Sequence, residues 1–143
     1  MTLLLGIDCA TQPAKVGLAL GELRDGVVVI SECRTASPAE PPEEIAAAWL
    51  HGAKTALIAL DAPLGWPRAL GACLPDHRAG QVMPHADDLF RRFTDLDIRE
   101  RMGKRPLEVG ANLISRTAVA ALVLLEKIRD LTALAIPNGI QTI

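Results

Sequence analysis

Aromatic residues are scarce in this chain of 143 residues, which has two Trp, two Phe and no Tyr. A stacking platform for single-stranded nucleic acid needs several exposed rings, so the composition argues against one. Cysteine is scarce too. Cys9, Cys33 and Cys73 are odd in number and far apart, with no CxxC pair, which excludes a disulfide framework and a zinc motif. The longest uncharged apolar run, Thr117 to Leu125, is too short to span a bilayer. The opening MTLLLGIDC has no basic stretch and meets an aspartate at position 8, so it does not read as a signal peptide. Without a Walker A or GxGxxG motif, P-loop NTPases and Rossmann dinucleotide enzymes have no support. These absences lead to the expectation of a soluble cytoplasmic protein with no membrane partner.

Half of the chain is hydrophobic, mostly Ala, Leu, Ile and Val, and 22% is charged. That balance excludes disorder as the main state and suits one α/β domain. The net charge of −2 gives no bulk attraction for nucleic acid. The charge is unevenly placed. Residues 1–61 carry four basic and eight acidic side chains, and residues 62–143 carry eleven and nine. Six of the fifteen Lys and Arg fall between Arg91 and Arg105, which would make a local basic strip in an acidic protein.

Three apolar runs, Leu3 to Ile7, Lys15 to Leu20 and Val27 to Ile30, predict strands. Asp25-Gly26 is a hairpin-turn pair, so an antiparallel meander is expected. A helix follows, with Ser37 as its cap, Glu40 as the capping-box partner and Gly52 at its end. The wholly apolar run Thr55 to Leu60 predicts a strand buried on both faces, parallel to the first. Residues 62–89 are rich in Pro and Gly and read as a long loop. Thr94 is placed to cap a short helix ending near Gly103. Leu113 to Leu131 predicts the longest helix, apolar all round at its centre and so deep or at an interface. The tail from Ala133 holds Pro137 and Asn138-Gly139 and suggests a turn with a short strand.

Two aspartates end two apolar runs: Ile7-Asp8 and Leu60-Asp61. On neighbouring parallel strands they would stand about 4.8 Å apart, where ligands of open α/β sheets bind. Carboxylates so close repel. Either one takes up a proton or a cation neutralises both. Hard oxygens favour Mg²⁺ or Mn²⁺, which can polarise a phosphoryl oxygen and activate water. The bland alternative is that each aspartate caps the turn after its strand. In the charged run from Arg92 to Glu100, Asp95 and Arg99 are an i, i+4 pair. They read either as an exposed helix laced with weak ion pairs, or as a third carboxylate (Asp95 or Asp97) beside phosphate-binding Arg92, Arg99 and Lys104. His51, His77 and His85 have no metal-ligand spacing; His85-Ala-Asp-Asp88 could bind a cation, but a solvated loop is the better expectation. Cys9 reads as a buried, inert thiol and Trp49 as core. Trp66 could line the site or anchor its loop.

Gly6-Ile-Asp8-Cys-Ala-Thr11 followed by Lys15-Val-Gly-Leu-Ala19 is similar to the first hairpin of ribonuclease H-like domains. Ala59-Leu-Asp61-Ala-Pro-Leu-Gly-Trp-Pro67 is more particular. So is the stretch from Arg92 to Val109, with Ile114-Ser-Arg-Thr-Ala118. Together they resemble the predicted nucleases of domain-of-unknown-function family 429 over nearly the whole chain. The resemblance implies a ribonuclease H-like mixed sheet in β-β-β-α-β-α order, with helices on both faces. It implies divalent-metal phosphodiester hydrolysis, with Asp8 and Asp61 as metal-binding acids and Asp95 with Arg99 on the following helix. Family members continue past the long helix, so residues 1–143 would form one domain that stops short of the last strand and C-terminal region.

Three functions therefore compete. The first is a Mg²⁺- or Mn²⁺-dependent nuclease with Asp8, Asp61 and Asp95 as catalytic acids and Arg92, Arg99 and Lys104 on the nucleic acid. The second is a fragment of an actin- or sugar-kinase-like phosphotransferase, which opens with the same element order but needs a second domain. The third is an inactive ribonuclease H-like module that binds a partner or dimerises through an exposed sheet edge or the apolar helix 113–131.

Overall fold

Strand β1 (Leu3–Asp8) alternates its side chains across the sheet, and that alternation separates core from site. In the computed structural model, which describes residues 2–83, 89–109 and 113–132, Leu5 and Ile7 are buried on one face. Gly6 and Asp8 line the other. A short 3₁₀ turn (Pro13–Lys15) leads into β2 (Gly17–Arg24), which pairs antiparallel with β1 and sets Asp8 opposite Gly17. The β2–β3 hairpin turns at Asp25 (φ 51°) and Gly26 (φ 79°), the two positive φ values that an Asp-Gly turn supplies. Strand β3 (Val27–Thr35) runs five residues further than its apolar run predicts. A register shift at Leu20/Gly21 accommodates it, and a Cβ at Gly21 would stand 2.8 Å from the Val29 carbonyl oxygen.

Helix α1 is Pro42–Leu50. Ser37 and Glu40 do not cap it. They close a turn of their own, the Glu40 N–H donating to Ser37 Oγ at 3.1 Å, because Pro41-Pro42 delays the first helical residue. Ile45, Ala46 and Leu50 are its buried apolar residues, and Trp49 packs on the core only in part. From α1 the chain crosses to β4 (Ala56–Leu60), parallel to β1 and in register with it from Leu3↔Ala56 to Ile7↔Leu60. The sheet order is β3-β2-β1-β4, a mixed sheet in the ribonuclease H-like α/β order.

The expectation that β4 is buried on both faces does not hold among the described residues. Ile58 and Leu60 pack on the core, whereas Leu57 and Ala59 on the other side are exposed. An unalternated apolar run reports composition and does not report what covers each face. Within the Pro/Gly-rich stretch a six-residue helix, α2 (Arg68–Cys73), follows Pro67. Helix α3 (Phe93–Met102) starts after Arg92, two residues before the helix that a Thr94 cap predicts, and ends at Gly103 (φ 65°). Helix α4 (Leu113–Leu131) lays Leu124 and Ile128 on the same core as α1, and Lys127 Nζ reaches Glu43 of α1 at 2.5 Å. It is not apolar all round in its packing: Ala118, Ala121, Leu125 and Ile128 make a buried stripe, and Val119 and Val123 are exposed. No helix among the described residues is long and apolar enough to cross a membrane. His85, Asp87, Asp88 and the predicted strand after Ala133 lie outside the described residues.

Candidate functional site

The parallel β1–β4 ladder continues one step past its last strand pair, the Asp61 N–H donating to the Ile7 carbonyl at 3.3 Å. That step brings Asp61 alongside Asp8, as the two apolar runs predict. Both aspartates are exposed at the carboxyl end of their strands. They open onto a trough of about 680 Å³ on the face away from α1 and α4. Gly6, Ala19 and Ala59 form its low floor, with Gly17, Cys33 and Thr35 toward β3. Gly17 stands beside Asp8, where a Cβ would lie 3.6 Å from Asp8 Oδ2, an ordinary van der Waals contact. The i, i+2 pairs Gly6/Asp8 and Gly17/Ala19 mark this face in the sequence, a signal that only the strand register makes readable.

The electrostatics of the trough are lopsided. Among the described residues no Lys, Arg or His stands within ion-pair distance of Asp8 or Asp61. Arg34, the one basic residue on the trough wall, is held by Glu32 at 2.5 Å and Glu40 at 3.4 Å, and stacks 6.0 Å from the Trp49 ring centre. Asp61 is fixed by the Cys9 N–H, which donates to its Oδ1 at 2.7 Å. Burial first, then the charges of Asp61 and Asp8, pushes the Cys9 thiol up to about 12. It stays protonated and donates to the Ile7 carbonyl at 3.8 Å, as expected of an inert thiol.

A divalent ion fits this donor set. Two hard carboxylates with no cation of their own suit Mg²⁺ or Mn²⁺, which bind through one or two carboxylates and keep several waters. No group of three or more His, Cys, Asp or Glu converges anywhere among the described residues, so the pair stands without a third protein ligand there.

Asp95 does not line the trough. It is 5% exposed at the third position of α3, where its Oδ2 accepts from the Arg92 backbone N–H (2.8 Å) and Nε (2.9 Å), and Oδ1 from Nη2 (2.5 Å). Burial raises its pKa, but the bonds from Arg92 outweigh it and hold the carboxyl below its ordinary value. Its partner is thus Arg92 at i−3 and not Arg99 at i+4, and Arg92 is neutralised by the same contact. Asp97 pairs with Arg101 at 2.8 Å. Arg99 lies on the wall of a separate small hollow, and Lys104 is exposed and lines neither space. Trp66, 40% exposed, is not part of the trough wall.

The chain matches the model of the family described as "Protein of unknown function (DUF429)" over residues 6–140, and it belongs to that family. No match was found among curated proteins or among solved structures.

Proposed function

We propose that this chain is a divalent-metal-dependent phosphodiester hydrolase of nuclease type, with Asp8 and Asp61 as the residues that hold Mg²⁺ or Mn²⁺. One observation carries the proposal: two carboxylates end adjacent parallel strands, face an open trough and have no cationic partner among the described residues. Bound there, the ion would supply Lewis acidity for a phosphoryl oxygen and a water made nucleophilic near neutral pH.

The chain's own residues supply placement. Strand pairing fixes the spacing of the two carboxylates, and the Cys9 N–H orients Asp61 by its Oδ1. The low floor of Gly6, Ala19 and Ala59 lets an extended backbone lie close to both acids. Asp95 contributes through the fold, by holding the start of α3. The test is hydrolysis of single- and double-stranded oligonucleotides with Mn²⁺ by the wild type, Asp8→Asn and Asp61→Asn. Cleavage by the wild type that both variants lose supports the proposal. Cleavage that survives both overturns it.

The exposed edge favours a second reading, an inactive module that associates through β3. Val27, Val28, Val29 and Ile30 are each 43% exposed or more on that edge strand. On that reading Asp8→Asn and Asp61→Asn relieve repulsion and raise the melting temperature, with no response to Mn²⁺ in any form.

A further inference from the structure

A second space with a defined charge lies beside α3. Gly103 takes a left-handed conformation, its N–H donating to the Arg99 carbonyl at 3.0 Å, and turns the chain so that Arg105 and Pro106 come back past the helix. The result is a hollow of about 110 Å³ walled by Arg91, Asp95, Arg99, Arg105 and Glu108. The two acids on that wall are already engaged. Asp95 is bound by Arg92, and Glu108 lies 3.6 Å from Arg91 Nε. Arg99 and Arg105 have no carboxylate within ion-pair distance among the described residues. The hollow, of small-anion size, is therefore lined by two arginines that no carboxylate of the described residues pairs.

We propose that this hollow is an oxyanion site that takes a phosphoryl group, with Arg99 and Arg105 as its binding residues. Guanidinium forks match phosphate oxygens two at a time, and two arginines lining one hollow, Arg99 from the helix and Arg105 from the returning segment, can share one such group. The site does not depend on a metal at Asp8 and Asp61. It replaces the basic set legible in the sequence. Arg92 is spent on Asp95 and Lys104 is off the wall, whereas Arg105 is on it.

Inorganic phosphate is the first probe, followed by amide NMR shifts in the intact chain. Phosphate is expected to shift amides of residues 99–108 in the wild type. Arg99→Gln with Arg105→Gln should weaken that binding by about tenfold or more, as loss of charge-assisted hydrogen bonds does. Both side chains are exposed, so the double variant is expected to fold, and its unshifted amide spectrum elsewhere checks that. Asp61→Asn should leave phosphate binding unchanged, which separates failure of this site from failure of the metal site. The salt dependence of oligonucleotide binding identifies the source of the group. A shallower slope in the double variant indicates a nucleic-acid backbone. An unchanged slope with phosphate binding lost indicates a small phosphorylated molecule. No shift with phosphate, or a shift that the double variant retains in full, overturns the proposal.

Discussion

Two acidic places in this molecule look alike in sequence and differ in what surrounds them. At the sheet end, Asp8 and Asp61 lie side by side, and among the described residues no cation stands within ion-pair distance of either. At the start of α3, Asp95 is buried and takes three hydrogen bonds from Arg92. A buried carboxylate that is matched by a guanidinium holds structure together. A pair of exposed carboxylates left unmatched repels itself and is stabilised by a cation from outside. The contrast gives Asp95 a structural part and is the ground on which we propose the Asp8–Asp61 pair as the ligand-binding one, although the sequence offers all three as candidate acids.

The largest effect that would sharpen this contrast is on metal affinity. Asp8→Asn is expected to lower Mn²⁺ affinity by at least about a hundredfold, since ligand loss exceeds the loss seen for supporting residues. A calorimetric titration checks it, with circular dichroism to confirm folding. Asp95→Asn should do the reverse: destabilise the fold by about 2 kcal/mol in urea unfolding, through lost charge-assisted bonds, and leave Mn²⁺ affinity as it was. A drop in affinity with Asp95→Asn would break the assignment.

The pH dependence follows from the same contact. The Asp95 carboxyl is held below its ordinary value, so near acid pH the unfolded chain binds the proton first and stability rises with pH. Its contribution is complete above about pH 5 and is lost as pH falls below about 4 toward its folded-state value. The stability gap between wild type and Asp95→Asn should accordingly close on acidification, as read by urea midpoints across that range. The smallest expected effect is at the exposed Asp97–Arg101 pair, where Asp97→Asn should cost about 0.5 kcal/mol or less.

Much of the fold was legible because local signals and long-range pairing agree. Asp25-Gly26 fixes the hairpin, and two apolar runs that each end in aspartate become the parallel β1–β4 pair. The adjacency of Asp8 and Asp61 was legible for the same reason. What was not legible depended on choices between near-equal partners. Asp95 has an arginine at both i−3 and i+4, and only the backbone course before α3 decides for Arg92. Ser37 and Glu40 have the spacing of a capping box, yet the two prolines that follow turn it into a separate loop. The hollow beside α3 escaped sequence reading because Arg105 reaches it only through the reversal at Gly103.

The measurement that tests the central claim most directly is calorimetric titration of Mn²⁺ into the wild type and Asp61→Asn. The Asn side chain still offers an oxygen to the Cys9 N–H, so the local fold is expected to persist. Binding to the wild type that Asp61→Asn abolishes is the predicted result. No binding by the wild type, or equal binding by both, would contradict the account and leave the Asp8–Asp61 pair without a metal.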